Sequence, residues 1–215
     1  MAKSIIFFSD FDGTIADKDV CATMVKRFAA SGWHELNCLW EAGKLSTRDC
    51  AQRTLDLMDM TPAKLDDFIA EQVLDPTFLD FAAWAGKKGY PIYILSDGYD
   101  NYIRPMLARY NLGLPFYANR MHYRQGWKIE TPHDNPRCGR CGVCKSKIML
   151  ELMDPDGLNV YIGDGYSDRC PAHFAGLVFA RAGRSLEAYC AREGITARRF
   201  NNFQDILIQM QKLTE

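Results

Sequence analysis

The chain has 215 residues, 47% of them hydrophobic and 25% charged, proportions of a globular protein with room for one sizeable core and an insert. Lys and Arg number 26 against 27 Asp and Glu, a net charge of -1, so no global field draws the chain to nucleic acid or to an anionic membrane. No stretch reaches the length of a membrane span or of a signal-peptide core, and the expected location is cytoplasmic.

The first predicted strand is the apolar run around Ile5–Phe8, which ends on Asp10-Phe11-Asp12 and breaks at Gly13. Residues i and i+2 of a strand share a face, so Asp10 and Asp12 are expected side by side at its C-terminal edge. Two like charges that close call for a cation between them. The chemistry most often built on such a pair is phosphoryl transfer.

From residue 17 to about 75 the spacing is helical. Val20, Met24 and Phe28 step by four; Leu36, Leu39 and Trp40 follow; Cys50, Ala51, Thr54, Leu55 and Met58 form another stripe. Thr61-Pro62 is an N-cap followed by proline at the first helical position. The block reads as about four short helices.

At Asp75-Pro76 the pattern becomes α/β. A capped helix carrying Phe78, Phe81, Ala82 and Ala85 stops near Gly89, and Tyr90–Leu95 reads as a buried strand that ends at Ser96-Asp97-Gly98. A helix through Tyr102, Ile103, Met106 and Leu107 comes next, then a β-rich stretch from Phe116 to Ile129 and a cysteine-bearing loop. A helix from about Cys144 to Met153 leads into the strand Asn159–Ile162, which ends at Gly163-Asp164-Gly165. Leu177–Ala180 is a further short strand, and Phe203–Leu213 an amphipathic helix.

Strands alternating with helices predict an α/β fold with a doubly wound, mainly parallel, Rossmann-like sheet. Its segments are 1–16 and 76–215, and the helical block 17–75 is an insert. Ligands in such sheets bind outside the carboxyl ends of the strands, so the turns at Asp10, Ser96 and Gly163 should share one site. There Asp10 can attack phosphorus and form an aspartyl-phosphate, and Asp12 can protonate the leaving oxygen and then deprotonate the hydrolytic water. Mg²⁺ suits the oxygen ligands of Asp10, Asp12 and Asp164, with Asp168 as a direct or water-mediated ligand or as a helix cap. Ser96, the backbone N–H groups of Asp97 and Gly98, and Lys145 would hold the phosphate oxygens.

These four elements in this order resemble the signature of the haloacid dehalogenase superfamily, and the resemblance runs from end to end. The Asp10–Thr14 turn looks like its first motif, Ser96 its second, Lys145 its third and Gly163–Asp168 its fourth. Thr14 joins the phosphate-binding set on that basis, and the block 17–75 takes the position of the C1 cap that selects substrate. The phosphoserine-phosphatase-like branch fits best. Asp10–Ile15, Ile129–His133, Cys141–Ser146 and Val178–Arg181 are similar to phosphatases of methionine salvage. Gly163–Asp168 is also similar to phosphoethanolamine and phosphocholine phosphatases. The resemblance implies a phosphatase acting on a small-molecule phosphate monoester, with no role for nucleic acid or membrane. Asp19 occupies the place of an acidic residue that faces the substrate amine in phosphoserine phosphatases, or else begins the first cap helix. Trp33 and Trp40 line a substrate pocket or pack the cap core.

Cys138, Cys141 and Cys144 form a C-x-x-C-x-x-C run, and with His133 upstream they can supply a tetrahedral site for structural Zn²⁺; reduced thiols and a disulfide are the alternatives. Competing functions are a phosphomutase, in which the aspartyl-phosphate passes to a second substrate, and a non-enzymatic metal or redox module built on these cysteines.

Overall fold

The computed structural model describes residues 4–214. Residues 1–3 of the expected segment 1–16, and Glu215, lie outside the described residues. Seven strands form a single sheet: β1 (Ile5–Ser9), β2 (Ile92–Tyr99), β3 (Phe116–Tyr123), β4 (Trp127–Glu130), β5 (Leu158–Gly163), β6 (Leu177–Arg181) and β7 (Ala197–Phe200). Their order is β4-β3-β2-β1-β5-β6-β7, and all pairings are parallel except β3 with β4. The chain runs outward from β1 to β4, then returns to β5 and runs outward the other way. The reversal lies between β1 and β5, the switch point at which such sheets bind ligands.

The central strands are buried on both faces, which is why they read as continuous apolar runs. Phe7 and Phe8 are both fully buried but point to opposite faces. Phe7 joins the larger core, meeting Phe81 of α5 (Pro76–Lys88) edge-on at 5.0 Å. Phe78 of α5 in turn packs on Phe203 of α10 (Phe203–Thr214) at 4.8 Å. Phe8 joins a second cluster with Leu95, Tyr161 and the α7 residues Ile148 and Met149 (α7, Lys145–Leu152). A third cluster seats α8 (Arg169–Ala172) and α9 (Ser185–Glu193) on Val178 and Ala180 of β6.

The helical insert contains α1 (Val20–Phe28), α2 (Trp33–Glu41), α3 (Thr47–Asp56) and α4 (Pro62–Glu71), in agreement with the spacing of its apolar residues. Asp19, Ser46 and Thr61 cap α1, α3 and α4 by accepting from backbone N–H groups. α6 (Asp100–Arg109) follows β2 directly. Three features depart from the sequence reading. β2 continues past Leu95 to Tyr99 through a register shift that pairs Tyr99 with Asn119. β7 and α9 are additional elements: Ala-Arg-Arg-Phe is too polar to read as a strand, yet it pairs in parallel with β6 at the sheet edge. No described helix is long and apolar enough to cross a membrane.

Candidate active site

β1 delivers Asp10 to the switch point. The Asp10 N–H donates to the Ile162 carbonyl at 2.9 Å, carrying the sheet register one residue beyond the strand. The chain then leaves the sheet in an irregular turn over Phe11–Ile15. Gly13 makes this turn at φ +71, and a Cβ there would stand 2.8 Å from Asp164 Oδ2, so both conformation and space require glycine.

The turn separates the two carboxylates that the spacing placed side by side. Asp10, Asp164 and Asp168 bring ligand oxygens within 4.8 Å of one another, whereas the Asp12 carboxylate is not in the group. Asp12 Oδ1 accepts from the N–H groups of Val20 (3.1 Å) and Cys21 (3.2 Å) at the start of α1. Its Oδ2 accepts from the Ser96 hydroxyl at 3.1 Å and the Tyr102 hydroxyl at 2.7 Å. An all-carboxylate oxygen set of this kind fits a hard divalent cation. Of the four predicted ligands, Asp12 has its side chain engaged outside this group, and Asp168, inside it, spends its carboxylate oxygens on hydrogen bonds within the fold.

Lys145 begins α7 and reaches into the same group. Its Nζ donates to Asp10 Oδ1 and to Asp168 Oδ1, each at 2.7 Å, and all three side chains are buried. Asp168 Oδ1 also accepts from the Tyr161 hydroxyl at 2.6 Å, and Oδ2 accepts from the N–H groups of Asp164 and Gly165 at 2.9 Å. Four donors fill the acceptor sites of this carboxylate. Asp168 thus fixes Lys145 and the Asp164 turn at once.

The electrostatics follow from burial and crowding. Burial raises the Asp10 pKa well above the ordinary range; Asp168 adds to the rise, and Lys145 opposes it. Burial, then Asp19, lift Asp12 to about 7 against the pull of the hydrogen bonds from Tyr102, Cys21 and Ser96. Asp164 is also raised to about 7, by burial and then by Asp168 and Asp19. Burial alone would lower the Lys145 pKa, but Asp10 and Asp168 outweigh it and hold the ammonium above its ordinary value. The three crowded carboxylates outnumber the single ammonium, and a divalent cation would relieve the excess.

A cavity of about 470 Å³ opens over Asp10, Asp12 and Asp164. Its outer wall comes from the helical insert, including Asp19, Val25, Trp33, Trp40, Glu41 and Met58. Asp19 is both lining and N-cap, since its Oδ1 accepts from Ala22 N at 2.7 Å. Among the described residues no Lys, Arg or His lines the cavity.

Of the predicted phosphate cradle, Asp97 and Gly98 line this cavity. Ser96 and Lys145 are buried behind it, against Asp12 and Asp10 respectively. Ser96 Oγ also accepts from Gly98 N at 2.9 Å. Asp97 ties two segments together, with its carboxylate accepting from Val143 N and its carbonyl from Asn119 Nδ2, both at 2.7 Å. Thr14 does not line the cavity: it is fully buried, its hydroxyl has no partner, and its carbonyl accepts from Arg181 at 3.1 Å.

Tyr102 and Tyr161 escaped the sequence reading as site residues, because both occupy core positions of their elements. The available signal was chemical: a buried tyrosine hydroxyl needs a partner, and each follows a strand or precedes a turn rich in carboxylates. Gly98 belongs with Tyr102, since a Cβ at position 98 would collide with the Tyr102 hydroxyl and with Asp12.

The predicted zinc set of His133, Cys138, Cys141 and Cys144 is not gathered as drawn from sequence. Among the described residues the acidic trio is the sole group of three or more such side chains whose ligand atoms converge within 4.8 Å. The His133 ring packs edge-on against Tyr117 at 5.2 Å. All eight cysteines are free thiols.

Residues 7–173 match the haloacid dehalogenase-like hydrolase family. The chain is 31% identical over 221 residues to the 2-hydroxy-3-keto-5-methylthiopentenyl-1-phosphate phosphatase of Geobacillus thermodenitrificans, covering 99% of this chain and 98% of that one. Among solved structures it is similar to a hydrolase of the same family from Salmonella enterica serovar Typhi, with a TM-score of 0.74 at 19% identity over 96% of this chain and 71% of that one. It is also similar to a phosphoserine phosphatase in a phospho-aspartyl intermediate analogue state, with a TM-score of 0.68 at 18% identity over 97% and 99% of the two chains. Match length, full-chain identity and shared fold agree with the resemblance carried by the four motifs, and the chain belongs to the haloacid dehalogenase-like hydrolase family.

Proposed function

We propose that the protein is a Mg²⁺-dependent phosphatase that hydrolyses a small-molecule phosphate monoester through an aspartyl-phosphate on Asp10. The observation that carries this reading is the buried Lys145 ammonium, 2.7 Å from Asp10 Oδ1, inside a cluster of three carboxylates. An ammonium locked onto one carboxylate fixes which oxygen is restrained and opposes the rise that burial imposes on Asp10; a bound divalent cation would further favour the ionised form that attacks phosphorus. Asp10 and Asp164 would hold Mg²⁺, with Asp168 orienting them from behind; the bound ion neutralises the phosphate dianion as a carboxylate approaches it.

Asp12, with a pKa of about 7, is poised for both halves of the reaction. Protonated, it gives its proton to the leaving alkoxide; ionised, it takes one from the water that hydrolyses the aspartyl-phosphate. Ser96 and Tyr102 hold that carboxyl group in one orientation throughout. Residues 17–75 would act as a cap on a core made of 1–16 and 76–215.

The substrate we favour is 2-hydroxy-3-keto-5-methylthiopentenyl-1-phosphate, an intermediate of methionine salvage. Its uncharged thioether tail suits a wall containing Val25, Trp33, Trp40 and Met58, and the full-length relative bears that activity in its name. The lack of a lining cation among the described residues argues against phosphoserine, whose carboxylate would find Asp19 and Glu41 in the cavity wall and no basic lining side chain to pair with. Asp19 and Glu41 beside two tryptophans support a second reading, phosphoethanolamine or phosphocholine, through charge pairing and cation–π contact.

The test is steady-state hydrolysis of these four esters with Mg²⁺ present, comparing kcat/KM, alongside Asp10→Asn on a generic ester. Asp10→Asn is expected to abolish turnover in a folded protein; turnover at the wild-type rate would remove Asp10 as nucleophile. Release of inorganic phosphate, with no phosphorylated second product, separates hydrolysis from phosphomutase chemistry.

A further inference from the structure

β4 is the end strand of the sheet, and its outer side meets α3 of the helical insert. Trp127 and Ile129 are two residues apart on it, so their backbone groups face the same way. Gln52 of α3 reaches both: its Nε2 donates to the Trp127 carbonyl at 3.1 Å, and its Oε1 accepts from Ile129 N at 3.1 Å. One side-chain amide thus supplies the donor and the acceptor that a neighbouring strand would bring to an open edge. Nε2 also donates to Asp56 Oδ1 at 2.8 Å, one turn along α3, so both amide hydrogens are used.

Helical spacing links this contact to the cavity. Gln52 and Asp56 share one side of α3, while Thr47, Cys50, Ala51 and Thr54 form the stripe that lines the cavity. A shift of α3 that frees Gln52 from β4 moves that stripe as well. Two further bonds hold the same helix. Trp127, itself buried, donates from Nε1 to the Met60 carbonyl at 2.7 Å, just beyond the end of α3. At its start, Thr47 N donates to the Arg140 carbonyl at 2.8 Å. The exposed Lys128–Asp56 pair at 3.4 Å adds little.

We propose that Gln52 is a positioning residue for substrate selection. By binding the open edge of β4 it sets where the cavity-lining stripe of α3 stands, so the β3–β4 hairpin of the core shares with the insert in choosing the substrate tail. Gln52 does not line the cavity, and its effect passes through α3. The inference rests on the reading of this cavity as the substrate site of a phosphatase. A wall that holds the tail equally in the ground and transition states acts on KM, and its displacement leaves kcat in place.

The experiment is steady-state hydrolysis by the full chain with Mg²⁺, using the methylthio ester and methyl phosphate, whose single carbon ends short of α3. Gln52→Met keeps the length and helix propensity of the side chain and removes its hydrogen bonds. Trp127→Phe removes the indole donor from the core side. Each variant should raise KM for the methylthio ester about ten-fold with kcat held, and leave kcat/KM for methyl phosphate unchanged. Amide hydrogen exchange at Ile129 should quicken in Gln52→Met. An equal loss on both esters is what a merely structural role predicts, and it would overturn the proposal, as would no loss on either or unchanged exchange at Ile129. Wild-type rates judge the phosphatase reading, whereas the ratio of variant to wild type judges Gln52. Should the wild type prefer another of the four esters, the substrate reading fails and the same split is expected on that ester.

Discussion

The Tyr102 hydroxyl donates to Asp12 Oδ2 at 2.7 Å, joining the first turn of α6 to the carboxylate proposed as acid and base. A hydrogen bond to the ionised form favours that form, so it draws the Asp12 pKa down against burial. Removing it in Tyr102→Phe leaves the ring in the core and raises the Asp12 pKa above about 7. The leaving-group step needs the protonated form, so activity falls as pH rises through this pKa, and the alkaline limb of the kcat/KM profile should move to higher pH. The lost orientation should cost about ten-fold in kcat, the equivalent of one hydrogen bond to a charged group. An unmoved alkaline limb would separate Asp12 from that limb.

Asp19 offers the opposite shift. It raises the Asp12 pKa as a nearby like charge and also caps α1 through Ala22 N. Asp19→Asn keeps a capping side chain while removing the charge. The Asp12 pKa should fall, and the alkaline limb should move to lower pH with little change in thermal midpoint. A pH–rate series on Asp19→Asn and Tyr102→Phe in parallel checks the sign of both.

The elements with strong periodicity were legible before any coordinates. Val20, Met24 and Phe28 mark α1, and the runs ending at Asp10, Ser96 and Gly163 mark the strand ends that meet at the switch point. Strand periodicity did not tell where Asp12 points, because the Gly13 turn takes the chain out of the strand before that residue. Tyr102 and Tyr161 carried the same apolar signal as their core neighbours; their hydroxyls act at a range no local pattern encodes. β7 was masked by Arg198 and Arg199, which an edge strand tolerates because only part of its surface is buried.

Asp168 carries a stability prediction. It receives Lys145, Tyr161 and two backbone N–H groups in a fully buried position. Asp168→Ala strands these donors and leaves the Lys145 ammonium with Asp10 alone. Breaking a buried pair from one side costs about 3–5 kcal/mol, whereas Tyr161→Phe, which removes one neutral donor, should cost about 1 kcal/mol. Urea unfolding midpoints of the two variants measure the difference. Equal midpoints would mean that the Lys145–Asp168 contact contributes nothing to the fold.

The cavity wall tests substrate choice apart from chemistry. Met58 and Glu41 both line it, on α3's exit and at the end of α2. If the tail is an uncharged thioether, Met58→Ala removes apolar contact and should lower kcat/KM for the methylthio ester about ten-fold, the usual cost of losing a side-chain contact in an apolar pocket. Turnover of a short alkyl phosphate, which does not reach that wall, should be unchanged. Glu41→Gln should then leave the methylthio ester unaffected, because no charge on that substrate faces it. If the tail is instead an ammonium, Glu41→Gln removes a charge partner and Met58→Ala matters less, so the rank of the two effects reverses. The pair of variants reads the tail's charge directly from kcat/KM, with Asp10, Asp12 and Lys145 untouched in both.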